Sequence, residues 1–151
     1  MSKSELRKEY ESRFGVVEGS LRLYDDKGNM IYYEDSESWW IKHEFDVNGN
    51  KIYWEDSSGY WVKRQYDDNN NEIYYETSDD LWRKREFDDK GNRIYFENSN
   101  DYWSKREFDV NGNEIYYETS EEGVVFDNRP CADKVFIDEQ SGKKFKLTEV
   151  K

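Results

Sequence analysis

The feature that most constrains this chain is a repeat of 21 residues that occurs five times in succession. The copies begin at Tyr24, Phe45, Tyr66, Phe87 and Phe108, and each opens with Y/F-D-x-x-G/N-N-x-I-Y-aromatic-E-x-S. In the first four copies W-x-K-x-E/Q follows. A period of this length is typical of an array of one supersecondary unit. We therefore predict a single repeat domain over residues 1–151, with the array in residues 24–128 and caps in residues 1–23 and 129–151.

Each copy carries the signals of two short strands and two turns. Asp46–Gly49 suits a type I turn, with Asp at the first position and a left-handed Gly at the fourth. Asn70 replaces that Gly in the third copy, and Asn is the next most tolerant residue of this conformation. The I-Y-Y-E segments are rich in strand formers, and a second turn falls at Ser57–Gly59. The pattern predicts an all-β antiparallel β-hairpin array of about ten short strands in a twisted or coiled ribbon.

Several repeat positions are predicted to be structural. Alternation places Trp61 and Lys63 on one face of their strand, and Tyr53 and Glu55 on one face of theirs. Because aromatic rings occur on both faces, we expect the repeat tryptophans to be substantially buried between stacked hairpins. The predicted structural residues are Trp40, Trp61, Trp82, Trp103, Ile52, Ile73, Gly49 and Gly112.

Both ends of the chain depart from the repeat and are predicted to close the array. Residues 3–13 have a helix-forming composition, which predicts a short N-terminal helix against the first hairpin. In the fifth copy Val124 and Phe126 stand in place of the Trp and the Lys. Residues 135–138 and 144–148 predict a C-terminal hairpin that turns at Ser141 and Gly142.

The Y-D-x-x-G-N element resembles the YD repeat of RHS-type proteins, which are built from coiled antiparallel β-hairpins. This likeness covers the five turn segments, whereas the W-x-K-x-E strand departs from the family pattern and does not imply a toxin-shell function. The whole arrangement resembles small repeat proteins of phages and other mobile genomes. That second likeness includes the D-N-R-P junction at residues 127–130 and the I-D…K-F-K-L tail at Ile137, Asp138 and residues 144–147. It implies an origin rather than an activity.

The chain offers little for catalysis. Its one histidine, His43, stands where other copies carry arginine, and the recurring serines lack a histidine base. An acid/base pair of carboxylates needs two environments that separate their pKa values, whereas the repeated carboxylates share one environment. The single cysteine, Cys131, has a nearby cation in Arg129, which can lower a thiol pKa. We expect no enzyme and no cofactor.

A metal site is not predicted either. Asp46–Asn50 looks like the start of a calcium loop, but an EF-hand needs Gly at position 6 and Glu at position 12. Here Gly49 falls at position 4 and Ser57 at position 12, and turn chemistry explains the same residues. The N-terminal segment lacks the apolar region of a secretory signal, and no apolar stretch approaches the roughly 20 residues that span a bilayer. We expect a cytoplasmic protein without membrane contact.

Charge is the strongest functional indication. Residues 24–128 carry 27 acidic and 12 basic side chains, a net charge of −15, whereas residues 1–23 net +1 and residues 129–151 net +2. The acidity therefore belongs to the array. Exposed strands stay apart when they are charged, and net charge keeps a protein soluble, so solubility alone is one reading. The other reading is an acidic surface that binds a basic partner.

The leading hypothesis is a non-catalytic phage-type accessory protein that occupies a basic surface of a host protein, such as a nucleic-acid-binding surface, as an inhibitor and nucleic-acid mimic. Direct nucleic-acid binding is not expected, because it needs cations. The alternatives are a glycan-binding module with a Trp/Tyr ladder and a structural spacer. We expect a monomer, with a homodimer as the rival. The predicted partner-binding residues are Asp67, Asp68, Asp79, Asp80, Glu121 and Glu122.

Overall fold

The computed structural model describes residues 3–130, 135–138 and 140–146. One helix, α1, spans Glu5–Phe14, and thirteen strands follow it in these residues. The strands are β1 Leu21–Tyr24, β2 Met30–Glu34, β3 Trp40–Phe45, β4 Lys51–Asp56, β5 Trp61–Tyr66, β6 Glu72–Thr77, β7 Trp82–Phe87, β8 Arg93–Asn98, β9 Trp103–Phe108, β10 Glu114–Thr119, β11 Gly123–Asp127, β12 Val135–Ile137 and β13 Lys144–Lys146.

Contacts divide the chain into two compact units, one ending at Arg85 and the other beginning at Glu86. In the first unit, β1 to β7 pair in chain order and each is antiparallel to the next. In the second unit, β8 to β11 pair in the same way. The predicted antiparallel hairpin array is confirmed, with eleven strands because β1 precedes the first turn. The single-domain assignment stays a prediction.

The first turn of each copy has one geometry throughout. In the second copy the Asp46 carboxylate accepts hydrogen bonds from the backbone N–H of Asn48 at 2.9 Å, the backbone N–H of Asn50 at 2.8 Å and the Asn50 side-chain amide at 3.0 Å. Gly49 donates its N–H to the Asp46 carbonyl at 3.1 Å, with φ of 88°. Asn70 takes the same left-handed conformation at 64°. The predicted turn with a left-handed fourth residue is confirmed, and its assignment to type I stays a prediction.

The second turn of the first four copies repeats this geometry with other residues. Gly59 donates its N–H to the Asp56 carbonyl at 3.0 Å, and Asp56 donates its own N–H to the Tyr60 carbonyl at 3.0 Å. The left-handed position of this turn has no fixed residue type. It is filled by Ser38, Gly59, Asp80 and Asp101 in the first four copies, whereas in the fifth copy the left-handed residue, Gly123, falls one position later.

A β-bulge interrupts the alternation of each hairpin at the recurring isoleucine. Glu44 pairs with Tyr53 and Phe45 pairs with Lys51, so Ile52 has no opposite residue. In the third copy Gln65 pairs with Tyr74 and Tyr66 pairs with Glu72, so Ile73 likewise has no opposite residue. A bulge rotates the local strand. Ile52 therefore lines the same cavity as Tyr53, whereas strict alternation predicts opposite faces.

The recurring serine links each hairpin to the one before it. Ser57 donates its backbone N–H to the Trp40 carbonyl at 2.9 Å, and Ser78 does the same to Trp61 at 3.0 Å. Ser120 repeats the contact with Trp103 at 3.0 Å. These bonds satisfy the first carbonyl of each Trp strand, so successive copies are joined at their ends as well as along their strands.

The buried core is small and partly polar. The buried apolar side chains are Leu21, Tyr32, Val62 and Tyr116, and the buried polar ones are Arg7, Glu34, Thr77, Ser104 and Thr119. The repeat tryptophans are all partly exposed, so the substantial burial expected for them is reached only in part. The physical reason is that their face of the sheet is covered by side chains of the same face rather than by a second layer.

The predicted N-terminal helix and the predicted C-terminal hairpin are both present, and the capping role of the hairpin stays a prediction. Helix α1 begins at Ser4, whose hydroxyl accepts the Arg7 N–H at 3.0 Å, and Arg7 fixes the helix through the carbonyls of Val17 and Gly19, each at 2.8 Å. Strands β12 and β13 form the C-terminal hairpin, whereas residues 147 and 148 of the predicted second strand lie outside the described residues. Among the described residues, no helix is long and apolar enough to cross a membrane.

Candidate functional site

Strand register brings four repeat positions onto one face of the sheet in each unit. Lys63 is paired with Tyr53 on one side and with Glu76 on the other, and Trp61 is paired with Glu55. Directly opposite residues of an antiparallel pair share a face. We call this surface the tyrosine face. Its repeat residues are Tyr32, Tyr53, Tyr74, Tyr95, Tyr116, Glu34, Glu55, Glu76, Glu97, Glu118, Trp40, Trp61, Trp82, Trp103, Lys42, Lys63, Lys84 and Lys105.

A hydrogen bond from tyrosine to glutamate recurs on this face in the first, second and fifth copies. Tyr53 Oη donates to Glu55 Oε2 at 2.9 Å, and Tyr116 Oη donates to Glu118 Oε2 at 2.8 Å. Burial, and then the neighbouring glutamate, raise the pKa of Tyr53 and of Tyr116 to about 12. The pKa values of Tyr32, Tyr74 and Tyr95 are raised too, chiefly by burial. The phenols thus stay protonated and hold the carboxylates in place.

The repeat lysine takes one of two positions. Lys63 Nζ lies over the Trp61 ring, 4.5 Å from its centroid, and Lys84 and Lys105 lie over Trp82 and Trp103 at 5.2 and 5.0 Å. Lys42 instead pairs with Glu55, with 2.6 Å between Nζ and Oε2. Both positions stabilise the cation. The choice decides whether a lysine neutralises the glutamate opposite.

Helix α1 covers the tyrosine–glutamate pair of the first copy. Ser4 donates its N–H to Glu34 Oε1 at 3.2 Å and its hydroxyl to Glu34 Oε2 at 2.5 Å, and its Oγ lies 2.8 Å from Tyr32 Oη. Glu34 is 0% exposed as a result. Leu21 stands at the place that Lys42 holds in the next copy, so the helix supplies the donors that a preceding lysine would supply.

Arg129 covers the tyrosine of the fifth copy. Its guanidinium carbon lies 3.9 Å from the centroid of the Tyr116 ring. Nη1 lies 2.9 Å from Glu107 Oε1, and Nη2 lies 3.0 Å from Asp127 Oδ2. Hydrogen bonding to Asp127 is the main cause that raises the pKa of Arg129. The D-N-R-P junction therefore places a stacked, doubly paired cation on the tyrosine face.

Open cavities lie on this face between successive tyrosines. One of about 660 Å³ lies in the first unit, between Tyr53 and Tyr74. Another of about 420 Å³ lies in the second unit, between Tyr95 and Tyr116. The first is lined by Glu44, Ile52, Tyr53, Lys63, Arg64, Gln65, Tyr74 and Glu76, and the second by the residues 42 positions later together with Arg129. The repeat thus builds the same cavity in both units.

The predicted partner-binding carboxylates lie in the turns rather than on the tyrosine face. Asp67 is a turn residue whose two carboxylate oxygens accept bonds from Asn69 and Asn71, and those bonds lower its pKa. Asp68, Asp79, Asp80, Glu121 and Glu122 are exposed.

The four aspartates chosen in the third copy do not form one patch. Asp67 and Asp68 precede β6, and Asp79 and Asp80 follow it. A strand of six residues separates them by about 20 Å. Sequence reasoning missed the glutamates of the tyrosine face, although the alternation of tyrosine and glutamate in I-Y-Y-E was a signal for them.

The opposite face collects arginines around one carboxylate. Glu72 lies 2.7 Å from Arg85, 2.9 Å from Arg83 and 3.3 Å from Arg64. Arg83 also stacks on Tyr75 at 4.1 Å. His43, at the position of Arg64, instead lies 2.9 Å from the Met30 carbonyl, and burial lowers its pKa. Within the described residues, no group of three or more His, Cys, Asp or Glu side chains is arranged to hold a metal, and Cys131 lies outside them.

The fold and this face define an antiparallel β-hairpin repeat protein. No family model and no curated protein matches the sequence. Among solved structures, the chain is similar to the toxin complex TcdB2-TccC3-TEV, with 14% identity over 74% of this chain and a TM-score of 0.50. It is also similar to TcdB2-TccC3, with 12% identity over 68% of this chain and a TM-score of 0.49.

A third similar structure is a Tc holotoxin pore of Photorhabdus luminescens, with 14% identity over 70% of this chain and a TM-score of 0.48. The chain spans 6% of the length of each of these toxin chains. The first of these structures, TcdB2-TccC3-TEV, contains YD/RHS repeats, so the β-hairpin repeat resemblance is supported at the level of the fold. Identities this low extend the likeness to no activity.

Proposed function

We propose that this chain is a non-catalytic binding protein whose acidic repeat array engages a basic surface of another protein. The observation that carries the proposal is the state of the turn carboxylates. Asp68, Asp79, Asp80 and Glu121 are exposed, and their side chains form no hydrogen bond or ion pair with the residues that the structure describes. Their charge is therefore free to steer a cationic partner, which can raise association rates by about 10- to 1,000-fold.

The finer form of the proposal is a phage-type accessory protein that inhibits a host protein by covering its nucleic-acid-binding surface. Regularly spaced carboxylates along a repeat array support this form, because a nucleic-acid backbone presents its charges in the same regular way. The net charge of −15 in residues 24–128 supports a basic protein rather than a nucleic acid as the partner.

Glycan binding is the rival function, since the repeat tryptophans are partly exposed. Sugar rings stack on aromatic faces, and on three of these tryptophans a lysine already lies over the ring. A sugar would have to displace that lysine. The charge-driven function is therefore better supported than the glycan function.

The experiment is affinity capture from host lysate with the full chain at about 50 and about 500 mM NaCl, where screening lengths differ severalfold. Captured proteins are then purified, and their association kinetics are compared between wild type and the triple variant Asp68→Asn, Asp79→Asn, Asp80→Asn. We expect a basic partner, retained only at low salt, that associates more slowly with the variant because exposed charges act mainly on association rate. The proposal would be overturned if wild type and the triple variant associate at equal rates at both salt concentrations. It would also be overturned if the chain is captured on peptidoglycan independently of salt.

A further inference from the structure

We propose that the cavity between Tyr53 and Tyr74 is a docking site for an arginine side chain of a protein partner, which inserts against Tyr74 and Glu76. This inference rests on the proposed function and specifies where the partner is held. It differs from the turn aspartates, which act at a distance, because the cavity supplies shape, an aromatic surface and a fixed carboxylate together.

Equivalent tyrosine–glutamate pairs show what this constellation binds. In the first copy the pair receives the N–H and hydroxyl of Ser4. In the second copy Glu55 receives the Lys42 ammonium. In the fifth copy the Arg129 guanidinium stacks on Tyr116. All three occupants are hydrogen-bond donors, and two of them are cations.

The pair in the third copy has no such occupant. Lys63, the residue opposite Glu76, lies over the Trp61 ring at 4.5 Å instead. Among the residues that the structure describes, Glu76 makes no ion pair, and its charge helps to raise the pKa of the neighbouring Tyr74. The pair faces an open volume of about 660 Å³ that Lys63, Gln65, Tyr74 and Glu76 all line. A positioned carboxylate therefore borders empty space.

The fifth copy explains why arginine suits this cavity. Arg129 stacks on Tyr116 and donates to Glu107, and the residues 42 positions earlier are Tyr74 and Gln65. A partner guanidinium in the same pose would stack on Tyr74 and donate to the Gln65 side-chain oxygen. Glu76 would offer a second acceptor and Glu44 a further negative charge at the rim. Arginine suits these groups better than lysine does, because its planar guanidinium can stack on the tyrosine ring and donate hydrogen bonds in several directions at once.

The probe is a fluorescein-labelled peptide of nine arginines, whose binding to the full chain is followed by fluorescence anisotropy at about 50 mM NaCl. We expect Glu76→Gln to weaken binding by about tenfold, because a charge-assisted hydrogen bond is lost from a partly enclosed site. The matched control is Asp26→Asn, which removes the same charge from an exposed turn in the first copy and should change affinity by less than about twofold.

A second pair of variants tests the same site in the opposite direction. Lys63→Met removes the cation that competes for Glu76 and should tighten binding, whereas Lys27→Met makes the same charge change in a turn and should tighten it less. Circular dichroism and thermal unfolding verify that each variant is folded. Loss of affinity that is equal in Glu76→Gln and Asp26→Asn would overturn this docking site and leave the proposed function standing. Absence of wild-type binding would overturn both.

Discussion

At the residue scale, the structure separates carboxylates that build the fold from carboxylates that remain available. Asp25, Asp46, Asp67, Asp88 and Asp109 each accept three bonds within their turn, and these bonds lower the pKa of every one of them. The residue after each of them is exposed. Two neighbouring acids such as Asp67 and Asp68 therefore have unlike roles.

Replacing Asp67 with Asn should destabilise the protein at neutral pH, because the new side-chain amide would face the Asn71 amide, which donates a hydrogen bond to the carboxylate of the wild type. Asp68→Asn should change the free energy of unfolding by less than about 0.5 kcal/mol. The folded pKa of Asp67 is lowered, so its contribution is present above its unfolded pKa of about 3.9 and is lost as pH falls below it. Urea unfolding at neutral pH and near pH 3 measures both effects. Equal stability of the two variants at neutral pH would contradict the turn role.

At this scale the turns could be predicted from the sequence. Which aspartate oxygens accept hydrogen bonds within a turn, and which remain exposed, could not. The Asp and Gly of the turn are recognised by type and spacing, as Asp46 and Gly49 show. An aspartate that is part of a turn and one that faces a partner look alike in the sequence. Only the positions of Asn69 and Asn71 reveal that the oxygens of Asp67 are already engaged.

At the element scale, the register between strands creates the tyrosine face. Alternation alone predicts that Tyr53 shares a face with Glu55, and Trp61 with Lys63. It does not predict which strand positions lie opposite each other, because the bulge at Ile52 shifts the register after the first pair. A register shift of one residue would place the Lys63 side chain on the other face of the sheet. The cavities and the open Glu76 therefore emerge only in the folded chain.

Helix α1 should depend on the carboxylate that it covers. We expect Ser4→Ala to destabilise the protein by about 2 to 3 kcal/mol, since it removes a helix cap and leaves the buried Glu34 short of a donor. Ser12→Ala, in the same helix, removes an exposed hydroxyl that donates to the Glu9 carbonyl and should cost less than about 0.5 kcal/mol. Chemical denaturation gives the two values, and amide exchange in residues 5–14 reports loosening of the helix. A Ser4→Ala protein as stable as Ser12→Ala would refute the covering role.

The tyrosine–glutamate bonds should make stability decline in alkali. The pKa of Tyr53 and of Tyr116 is raised to about 12 in the folded state, and an unfolded tyrosine ionises near 10. Between these values the unfolded state releases protons first, so the free energy of unfolding falls as pH rises through about 10 to 12.

Urea midpoints at about pH 9 and about pH 11 measure this decline. The double variant Tyr53→Phe, Tyr116→Phe should lose less stability over that interval than wild type does. Tyr10→Phe, a substitution in α1 away from these glutamates, should keep the wild-type decline. An undiminished decline in the double variant would show that other groups cause it.

At the scale of the whole molecule, an exposed edge strand favours association with a second chain, and the negative charge opposes it. Among the described strands, β11 pairs only with β10, and Val124 and Val125 on it are exposed. Exposed apolar edges invite pairing with a second chain. The fifth copy, which contains β11, also has the largest negative charge of the five copies, at −6. Charge repulsion between two such edges opposes their association.

We therefore expect a monomer at physiological salt, and light scattering across a concentration series checks it. Higher salt should favour association, because screening weakens the repulsion. If a dimer forms at high salt through β11, Val125→Lys should abolish it, whereas Val47→Lys, at an exposed turn, should not. A molecular mass of two chains that stays constant across the concentration series at low salt would refute the monomer prediction.

The link from each recurring serine to the preceding tryptophan has an evolutionary meaning. In the first unit Ser57 and Ser78 make the same contact with Trp40 and Trp61, so one copy can be exchanged for another. Deletion of residues 45–65 would bring Ser78 to Trp40 and Lys42 opposite Glu76, and we expect a folded protein with a cooperative transition in circular dichroism. Deletion of residues 46–65 leaves one residue more than a whole copy, so the strands that follow would turn their side chains to the other face of the sheet. This deletion should abolish the transition. Equal behaviour of the two deletions would disprove modular exchange. Unequal recombination between such similar coding segments can thus lengthen or shorten the gene by whole copies while selection on folding removes every other length.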